Sequence, residues 1–589
     1  MIEARFDDLT PGAASFRLVG PAGVLEARRP DEVAGVIAAA GSSAQRGLWV
    51  GGFVSYEAAP GLDPALEVRP RSADDPFAEL PLAWFALFED REETQLPEPR
   101  EDGPAPSGDG WRPSVDRARY DAAIGTVHER IANGDVYQVN HTLRLRSRLA
   151  GDERGLYRDL CFAQRGRYAA YLNAGRYRVC SASPELFFEL ADGHLTTRPM
   201  KGTAPRGRWP AEDDAAGEQL VASVKDRAEN AMIVDLLRND LGRVARPGGV
   251  RWSEVFAAER YETVWQLTST VSAELEPHAG LVEIFRALFP SGSVTGAPKV
   301  RSMQVIAGLE DSPRGVYCGA VGFLGPPGAA PVARFNVAIR TVTVDGESGT
   351  AEYGVGGGIT WDSLAGAEYD ETVAKARVLT ERRPRFELLE TILYEPDHGL
   401  RRLDRHLERL RGSAIYFGFA LDERSVRAAL DREAATAGGR RSRIRLLLDR
   451  AGRITTASMP LATRPEPARL ELDDVPVDPA DVMLFHKTSR RERYDAARAR
   501  HPDADDVLLL NRRGEVTETT IANLAARLDG RWITPPLDAG LLPGTERAAL
   551  LAEGAIEEGS LRPEDVAAAE ELRLMNATGP WRRTELVGS

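Results

Sequence analysis

The chain has 589 residues, which is too long for one hydrophobic core and predicts about three or four domain-sized units. Its 43% hydrophobic and 28% charged residues are typical of a globular protein. The net charge of −14 disfavours nucleic acid as a partner. The basic run from Arg440 to Arg445 is therefore expected to be a solvated strand or helix face.

The cysteines and the hydropathy pattern predict a cytoplasmic protein. Cys161, Cys180 and Cys318 are odd in number and far apart, which favours buried, reduced thiols. The first residues, MIEARFDDLT, lack the apolar centre of a signal peptide. No apolar run approaches the roughly 18 residues of a membrane span, so no membrane partner is expected.

In chain order, the first predicted element is the strand-like run LWVGGFVSYEA (48–58). Residues 91–113 are rich in Pro, Gly and charge, and predict an exposed loop. Ser114 is predicted to cap the helix that follows. The apolar residues of this helix recur at helical spacing: Tyr120, Ile124, Val127 and Ile131. Asn133-Gly134 is predicted to end the helix.

Farther on, strand-like runs such as RYRVCSA and ARFNVAIRTVTV alternate with predicted helices at Lys225–Leu241 and Glu368–Thr380. Pro384 ends the last of these, and FELLETILYE begins new α/β content. We therefore predict one domain at 1–380, divided into an N-terminal part (1–112) and a catalytic core (113–380). The second domain is predicted at 381–589.

Two acidic pairs lie on the predicted helices. Asp226 and Glu229 are three residues apart, as are Glu368 and Glu371, so each pair shares one helix face. Lys375 follows Glu371 at i+4. Such pairs are usually solvated charge, and alone they identify no site. A glycine run at 356–358 is likewise more often a turn than a binding loop.

The sequence blocks that surround the acidic pairs and the glycine run identify a protein family more specifically. The blocks are SPELF (183–187), RPMKGT (198–203), RAENAMIVDLLRNDLGRV (227–244), SGSVTGAPK (291–299) and AEYDETVAKA (367–376). Together they resemble the chorismate-utilising enzymes, which include anthranilate synthase component I, aminodeoxychorismate synthase component I and the isochorismate and salicylate synthases. That resemblance implies a β-sandwich core flanked by helices. Members that aminate chorismate at C4 typically carry lysine where this chain has Lys201, whereas those making anthranilate carry a small residue.

The resemblance also implies roles for individual residues. Glu229 and Glu371 would bind Mg²⁺, with Asp226 and Glu368 supporting through water; Mg²⁺ prefers few carboxylates, several waters and an anionic substrate group. Glu185 would protonate the leaving C4 hydroxyl, and Lys201 would add at C2. The residues expected to contact chorismate are Gln266, Thr295, Gly296, Tyr317, Arg340, Gly356, Gly357, Gly358 and Lys375.

Two features qualify this resemblance. Many members read H-L-x-S where this chain has Gln266-Leu267-Thr268-Ser269, so a proton donor at that histidine position is lost or reassigned. The chain also lacks a cysteine in the Gly-rich elbow that glutamine amidotransferases need. Ammonia is therefore expected from a separate glutamine amidotransferase subunit, or as free ammonium.

From Phe386 onward the sequence resembles the fold-type IV pyridoxal-phosphate enzymes, a two-subdomain α/β family that includes aminotransferases and aminodeoxychorismate lyases. The blocks are LDRHLERL (403–410), FHKT (485–488), GEVTETTIANL (514–524) and LLPGTERAALL (541–551). The resemblance makes Lys487 the residue that binds the cofactor aldehyde and removes the substrate's C4 proton. Glu518 would contact the pyridine nitrogen. The remaining cofactor contacts would be Arg409, Asn523, Gly544 and Thr545.

Some members read N-S-L-R-G near the C-terminus, whereas this chain has Asn576-Ala577-Thr578-Gly579-Pro580. An arginine that could hold a substrate carboxylate is missing, and Arg582 or Arg583 would have to substitute. A homodimer through this half is expected by analogy.

Taken together, the two halves resemble fused aminodeoxychorismate synthase and lyase proteins of the folate pathway, which convert chorismate to 4-aminobenzoate. Two alternatives stay open. One is an anthranilate or other aminochorismate synthase joined to an aminotransferase, in secondary metabolism. The other is a scaffold in which one half is degenerate and serves only for assembly.

Overall fold

The computed structural model describes residues 2–10, 13–95, 97, 110–149, 151–380, 385–461, 465–579 and 581–587. The chain divides into two compact units. The first comprises Met1–Pro205 and Ala216–Arg383, and the second comprises Arg206–Ala215 and Pro384–Ser589. Within the described ranges, no helix is both long enough and apolar enough to cross a membrane.

The first half of the chain is built on one extensive, largely antiparallel sheet system with helices packed against it. Its strands are β1 Glu3–Asp7, β2 Ser15–Ala27, β3 Trp49–Val54, β4 Ala83–Thr94, β5 Arg112–Pro113, β6 Gln138–Arg148, β7 Tyr168–Ala174, β8 Tyr177–Ser183, β9 Leu186–Ala191, β10 His194–Arg198, β11 Met200–Pro205, β12 Ala245–Arg260, β13 Val264–Leu275, β14 Gly296–Ala297, β15 Ala320–Leu324, β16 Ala333–Val337, β17 Thr341–Asp345 and β18 Thr350–Ile359. Its helices are α1 Pro30–Gln45, α2 Arg117–Ala132, α3 Glu153–Gln164, α4 Pro210–Ala222, α5 Val224–Gly242, α6 Leu281–Leu288, α7 Lys299–Leu309 and α8 Ala365–Ala376.

Several local predictions change in the structure. The cap of α2 is Asp116, whose side chain accepts a hydrogen bond from the Arg119 amide at 2.8 Å. Ser114 was the wrong choice, because its hydroxyl is bonded to Asp311 and to the Arg144 amide instead. The predicted exposed loop begins later than expected, since residues 91–94 continue β4; part of it, 96 and 98–109, lies outside the described residues.

The strand predicted at ARFNVAIRTVTV is interrupted. It forms β16 and β17, and between them Arg340 has a φ of 52°, a left-handed conformation that breaks a strand. Helix α5 matches its predicted range closely, whereas α8 ends at Ala376 and continues as a short 3₁₀ turn, Arg377–Leu379. The three cysteines are buried and free, as predicted.

A buried ion network fixes β6 against the loop that follows α7. Glu310 accepts hydrogen bonds from Arg144 at 2.8 Å and from Arg314 at 2.6 Å. Burial would raise the pKa of Glu310, but the two guanidinium groups overcome it and lower that pKa to about 2. Arg144 also lies over the ring of Tyr317, 5.3 Å from its centroid. The network holds Tyr317 in place.

The second half contains two further sheets. A four-stranded sheet has the order β20-β19-β21-β22, and an eight-stranded sheet has the order β25-β24-β23-β30-β29-β26-β27-β28. The strands are β19 Leu388–Glu395, β20 Gly399–Leu400, β21 Ser442–Leu448, β22 Ile454–Pro460, β23 Ala468–Leu472, β24 Asp506–Leu510, β25 Val516–Thr519, β26 Asn523–Leu528, β27 Arg531–Thr534, β28 Glu557–Glu558, β29 Glu571–Met575 and β30 Arg582–Leu586. The helices are α9 Leu403–Phe417, α10 Glu423–Thr436, α11 Glu492–Arg500, α12 Thr545–Ala552 and α13 Pro563–Ala568.

The second unit includes a short segment from the first half of the sequence, Arg206–Ala215. The Tyr416 hydroxyl donates to the Gly207 carbonyl at 2.6 Å, and Trp209 packs against Phe485 with ring centroids 5.1 Å apart. His486 Nε2 lies 3.2 Å from the Arg208 carbonyl oxygen. The segment therefore abuts the residues that immediately precede Lys487.

Candidate active sites

The first candidate site is a cavity of about 310 Å³ in the first unit. Strand β18 forms one wall of the cavity. Its glycines pair with β6: Gly356 with Thr142, Gly357 with His141 and Gly358 with Asn140. These glycines therefore lie in a strand rather than a turn. A Cβ atom at Gly356 would lie 2.2 Å from the His141 carbonyl oxygen, and one at Gly358 would lie 2.1 Å from Gln138 Nε2. At Gly356 the obstacle is backbone, so only glycine fits there, whereas at Gly358 a side chain would have to displace the end of Gln138.

Lys201 projects into this cavity from β11. A Cβ atom at Gly358 would lie 3.2 Å from Lys201 Nζ, so the amine lies directly over the glycine wall. The buried Asn230 side chain holds the strand by donating to the Lys201 carbonyl at 3.2 Å. Burial, and secondarily the Lys375 ammonium, lower the pKa of Lys201 against the opposing effect of nearby carboxylates. The neutral amine of Lys201 is therefore more accessible in this site than it is in water.

Glu185 lies in the turn between β8 and β9, and it lines the same cavity. Its backbone is fixed by the Ser183 hydroxyl, which accepts from the Glu185 amide at 3.2 Å. Burial raises the pKa of Glu185 to about 7, although Ser293 and Lys201 act in the opposite direction. A carboxyl group with that pKa can give up a proton near neutral pH.

Four carboxylates line the cavity from two helices. Asp226 and Glu229 come from the start of α5, where the Ser223 hydroxyl accepts from the Asp226 amide and caps the helix. Glu368 and Glu371 come from α8. Burial raises the pKa of Glu229, and the charges of Asp226 and Glu368 add to that increase. The carboxylates of the two helices therefore repel one another across the cavity.

Lys375 links α8 to the glycine wall. Its ammonium group lies 2.6 Å from Glu371 Oε1 and donates to the Gly356 carbonyl at 3.0 Å. Burial would raise the pKa of Glu371, but Lys375 lowers it. The Lys375 carbonyl accepts hydrogen bonds from Arg340 and from the Tyr353 hydroxyl.

The structure gathers most of the predicted residues of the first site in this cavity. Gln266, Tyr317 and Arg340 line it, whereas Thr295 and Gly296 lie behind its wall. Thr295 is fully buried, and its carbonyl accepts from the Asn140 amide at 2.9 Å. Their neighbours Ser293 and Val294 line the cavity instead, as do other residues that the motifs did not single out: Asn140, Gln164, Tyr261 and Tyr353.

The second candidate site is a cavity of about 320 Å³ in the second unit, and it contains Lys487. The Lys487 carbonyl accepts from the Leu389 amide at 2.9 Å, which ties the segment to β19. Burial, together with the Arg409 charge, lowers the pKa of Lys487 to about 8. The amine can therefore act as a nucleophile or a base near neutral pH.

Arg409 enters this cavity from α9. It is oriented by Glu390, which accepts from Arg409 Nε at 2.9 Å and from Arg409 Nη2 at 2.6 Å. Gly544 caps α12, and Thr545 begins it, so free backbone N–H groups lie beside Arg409 at a helix N-terminus. The Arg409 Nη1 group donates to the Pro543 carbonyl at 3.1 Å. This combination suits a phosphate group.

Glu518 also lines the second cavity. It accepts from the Tyr494 hydroxyl at 2.9 Å and from the Asn523 amide nitrogen at 3.3 Å. Burial raises the pKa of Glu518 to about 7. All six residues predicted to contact the cofactor line this one cavity. Arg582 and Arg583 are not among its lining residues.

Two protein families match successive parts of the chain. The chorismate binding enzyme family matches residues 19–381, and the amino-transferase class IV family matches residues 387–585. The chain belongs to the chorismate binding enzyme family and carries a class IV aminotransferase domain after it. The predicted fold class of each half is thereby confirmed.

Individual relatives match the first half. Aminodeoxychorismate synthase component 1 is 42% identical in Klebsiella aerogenes over 265 residues and 40% identical in Escherichia coli K12 over 290 residues. These matches cover 45% and 49% of this chain, and 58% and 62% of the relatives. Anthranilate synthase component 1 of Aquifex aeolicus is 39% identical over 274 residues, covering 46% of this chain and 54% of that protein. The chain therefore spans little more than half of each relative.

A solved structure supports the fold alone. Anthranilate synthase component I from Streptococcus pneumoniae TIGR4 superposes with a TM-score of 0.54 at 24% identity, over 63% of this chain and 93% of that one.

Proposed function

We propose that the first unit aminates chorismate at C4 to give 4-amino-4-deoxychorismate. The second unit would then release pyruvate and leave 4-aminobenzoate. The observation that carries this proposal is the position of Lys201, whose amine lies over the glycine wall in the same cavity as the buried acid Glu185. A nucleophile and a proton donor in one site suit displacement of a hydroxyl group.

Each step balances without an external oxidant or reductant. The neutral Lys201 amine forms a bond to C2, both ring double bonds shift (C1=C2 to C1=C6 and C5=C6 to C4=C5), and the C4–O bond breaks. Glu185 supplies the proton, so the hydroxyl departs as water rather than as hydroxide. Ammonia then bonds to C4 as the C2–Lys201 bond breaks. The Glu185 carboxylate takes the proton that the incoming ammonia releases, which restores the acid.

We propose Glu229 and Glu371 as ligands of a Mg²⁺ ion in the first site, supported by Asp226 and Glu368. No cluster of three or more His, Cys, Asp or Glu side chains converges as a ready-made metal site within the described ranges. The donors that fit Mg²⁺ are the carboxylates of α5 and α8 that line the cavity. Mg²⁺ takes few protein ligands and completes its octahedron with waters and an anionic substrate. The ion would offset the mutual repulsion of the four carboxylates and attract a substrate carboxylate.

Glu371→Gln and Glu229→Gln are each expected to raise the Mg²⁺ concentration for half-maximal amination by at least about tenfold. Each variant removes a negative charge from the proposed ligand set. The measurement is a Mg²⁺ titration of chorismate amination. Asp235→Asn is the control, because Asp235 is exposed on α5 and pairs with Arg238. Unchanged titrations for both glutamate variants would contradict the assignment.

The pH profile of amination is expected to be bell-shaped. Since the pKa of Glu185 is raised to about 7, its protonated form is lost as pH rises through that value. The pKa of Lys201 is lowered, so the neutral amine is lost as pH falls. Glu185→Gln is expected to reduce the rate by roughly 10² to 10⁴-fold and to remove the alkaline limb set by this acid. A retained alkaline limb in Glu185→Gln would assign the limb to another group.

In the second site, we propose that pyridoxal phosphate binds with its phosphate at Arg409 and α12, its aldehyde at Lys487 and its pyridine nitrogen at Glu518. When bound, the cofactor supplies an electron sink. Lys487 removes the proton from C4, and the C3–O bond to the enolpyruvyl group breaks. The ring becomes aromatic, and the enolpyruvate gains a proton to become pyruvate. Glu518 stabilises a protonated ring nitrogen, and Asn523 and Tyr494 orient Glu518.

The ammonia is proposed to come from a separate glutamine amidotransferase. Burial raises the pKa of Cys161, Cys180 and Cys318 above that of an ordinary thiol. A protonated, buried thiol is a poor nucleophile for glutamine hydrolysis.

Product analysis tests the whole proposal. The purified chain would be incubated with chorismate, ammonium, Mg²⁺ and pyridoxal phosphate. We expect 4-aminobenzoate and pyruvate in equal amounts. Formation of 2-aminobenzoate would instead favour the anthranilate alternative, which the similarity to the Aquifex aeolicus protein keeps relevant.

A further inference from the structure

Strand β21 presents two arginines to the second cavity. Alternate residues of this strand, Ile444 and Leu446, are fully buried in the core beneath the sheet. Arg443 and Arg445 point to the opposite face, since side chains alternate along a strand. Both line the cavity that contains Lys487, as does Thr391, which pairs with Arg445 across the sheet.

The Nε donors of these two guanidinium groups have no acceptor among the residues that the structure describes. The Nε atoms of Arg443 and Arg445 are shielded from solvent, and no described residue accepts a hydrogen bond from either. Leaving a buried donor unpaired is destabilising, so an acceptor supplied by a ligand would be favoured. By contrast, Arg409 in the same cavity is paired with Glu390, and Arg441, which immediately precedes β21, lies 3.0 Å from Glu395.

The excess of basic residues in the cavity also favours an anionic ligand. Among its described lining residues, six are basic, namely Arg409, Arg443, Arg445, Lys487, Arg490 and Arg491, and one is acidic, Glu518. Arg409 and the N-terminus of α12 account for a phosphate. Glu518 is already bonded to Tyr494 and Asn523. Arg490 lies 3.7 Å from Glu492, and Arg491 donates to the Thr520 carbonyl at 2.8 Å. Arg443 and Arg445 therefore remain for another anionic group.

We propose that Arg443 and Arg445 bind the carboxylates of the substrate, so that the second unit selects a dicarboxylate over a monocarboxylate. This inference rests on the proposed lyase function, whose substrate carries a ring carboxylate and an enolpyruvyl carboxylate. A guanidinium group offers two parallel N–H donors to a carboxylate, which gives both strength and orientation. The alternating arginines of β21 place two such donors on one cavity wall.

The proposal replaces the expected role of Arg582 and Arg583. Arg583 is 67% exposed and lies 3.5 Å from Glu571, and neither residue lines the cavity. Asn576, Ala577 and Thr578 of that motif also line the cavity, and none of them is a cation. The arginine absent from that C-terminal motif is thus supplied by β21.

The test uses the full chain loaded with pyridoxal phosphate and the double variant Arg443→Met/Arg445→Met. With 4-amino-4-deoxychorismate as substrate, we expect KM to rise by roughly 10² to 10³-fold while kcat changes only a few-fold. Arg441→Met is the matched control and should keep wild-type constants. Arg443→Lys/Arg445→Lys should lower KM part of the way back to the wild-type value, because lysine restores the positive charge but not the two parallel N–H donors of a guanidinium group.

A second measurement needs no catalysis. Calorimetry would compare benzene-1,3-dicarboxylate with benzoate on the loaded chain. The wild type should bind the dicarboxylate at least about tenfold more tightly, and the double methionine variant should lose that preference. If the preference is present but pyruvate is never released, the lyase assignment fails while the arginine site stands.

Three results would overturn the arginine site. The first is an unchanged KM in the double methionine variant of an active lyase. The second is a wild-type chain that binds both test ligands equally. The third is loss of the cofactor's visible absorbance in the double variant, which would assign the arginines to the cofactor phosphate.

Discussion

Lys201→Ala is expected to abolish formation of 4-amino-4-deoxychorismate, with a rate loss of roughly 10³-fold or more, as befits removal of a covalent nucleophile. The reason is that Lys375, the other lysine beside the glycine wall, is held by Glu371 and the Gly356 carbonyl and does not replace the Lys201 amine. The measurement is chorismate consumption with ammonium and Mg²⁺, followed by chromatography of the products.

Lys201→Arg is the sharper variant. Arginine keeps the positive charge but stays protonated, so it cannot attack C2. We expect Lys201→Arg to be as inactive as Lys201→Ala. Both variants should still release pyruvate from supplied 4-amino-4-deoxychorismate at the wild-type rate, which controls for folding of the second unit. An active arginine variant would indicate that Lys201 serves only as a charge.

Lys487→Ala is expected to remove the second activity and leave the first intact. Pyruvate release should fall by roughly 10³-fold or more, because both the aldehyde-binding amine and the base for the C4 proton are lost. Amination should proceed normally, so 4-amino-4-deoxychorismate should accumulate. The measurement is product analysis over time, together with the visible spectrum of the purified chain.

Lys201→Ala is the control for the Lys487→Ala variant. Lys201→Ala should keep the visible absorbance of the lysine-bound cofactor, whereas Lys487→Ala should lose it. If Lys487→Ala still forms 4-aminobenzoate at the wild-type rate, the second cavity is not the site of elimination, and the degenerate-scaffold alternative gains support for this half.

The scarcity of lysine in the chain independently supports special roles for Lys201 and Lys487. Of the 75 basic residues, five are lysine: Lys201, Lys225, Lys299, Lys375 and Lys487. Arginine serves almost everywhere else, and it cannot be deprotonated in a protein. The two lysines assigned covalent roles are thus among the few basic side chains of this chain that can become neutral. Three of the five line the first cavity, and one lines the second.

The sequence motifs predicted the composition of both sites well, because each block carries chemistry that depends on residue type. Glu185, Lys201 and the four carboxylates come from separate elements yet line one cavity. The glycine run was harder to interpret. Its place in β18, opposite β6, depends on strand pairing between residues more than 200 positions apart in sequence, which no local pattern encodes.

Other features depended on tertiary contacts. Ser114 and Asp116 are both good capping residues, and the choice between them follows from the bond of Ser114 to Asp311, far along the chain. The basic run at 440–445 was expected to be solvated, but Arg443 and Arg445 are half-buried and face the cavity. The alternation of arginines with Ile444 and Leu446 was the available signal, and it became informative once β19 and β22 were seen to flank the strand.

The most direct test of the central claim is to look for a covalent adduct on Lys201. The chain would be incubated with chorismate and Mg²⁺ in the absence of ammonia, quenched with acid, digested and analysed by mass spectrometry. We expect the peptide containing Lys201 to gain the mass of chorismate less one water, and the adduct to disappear when ammonium is added before the quench. An unmodified peptide, together with undiminished amination by Lys201→Ala, would contradict the account.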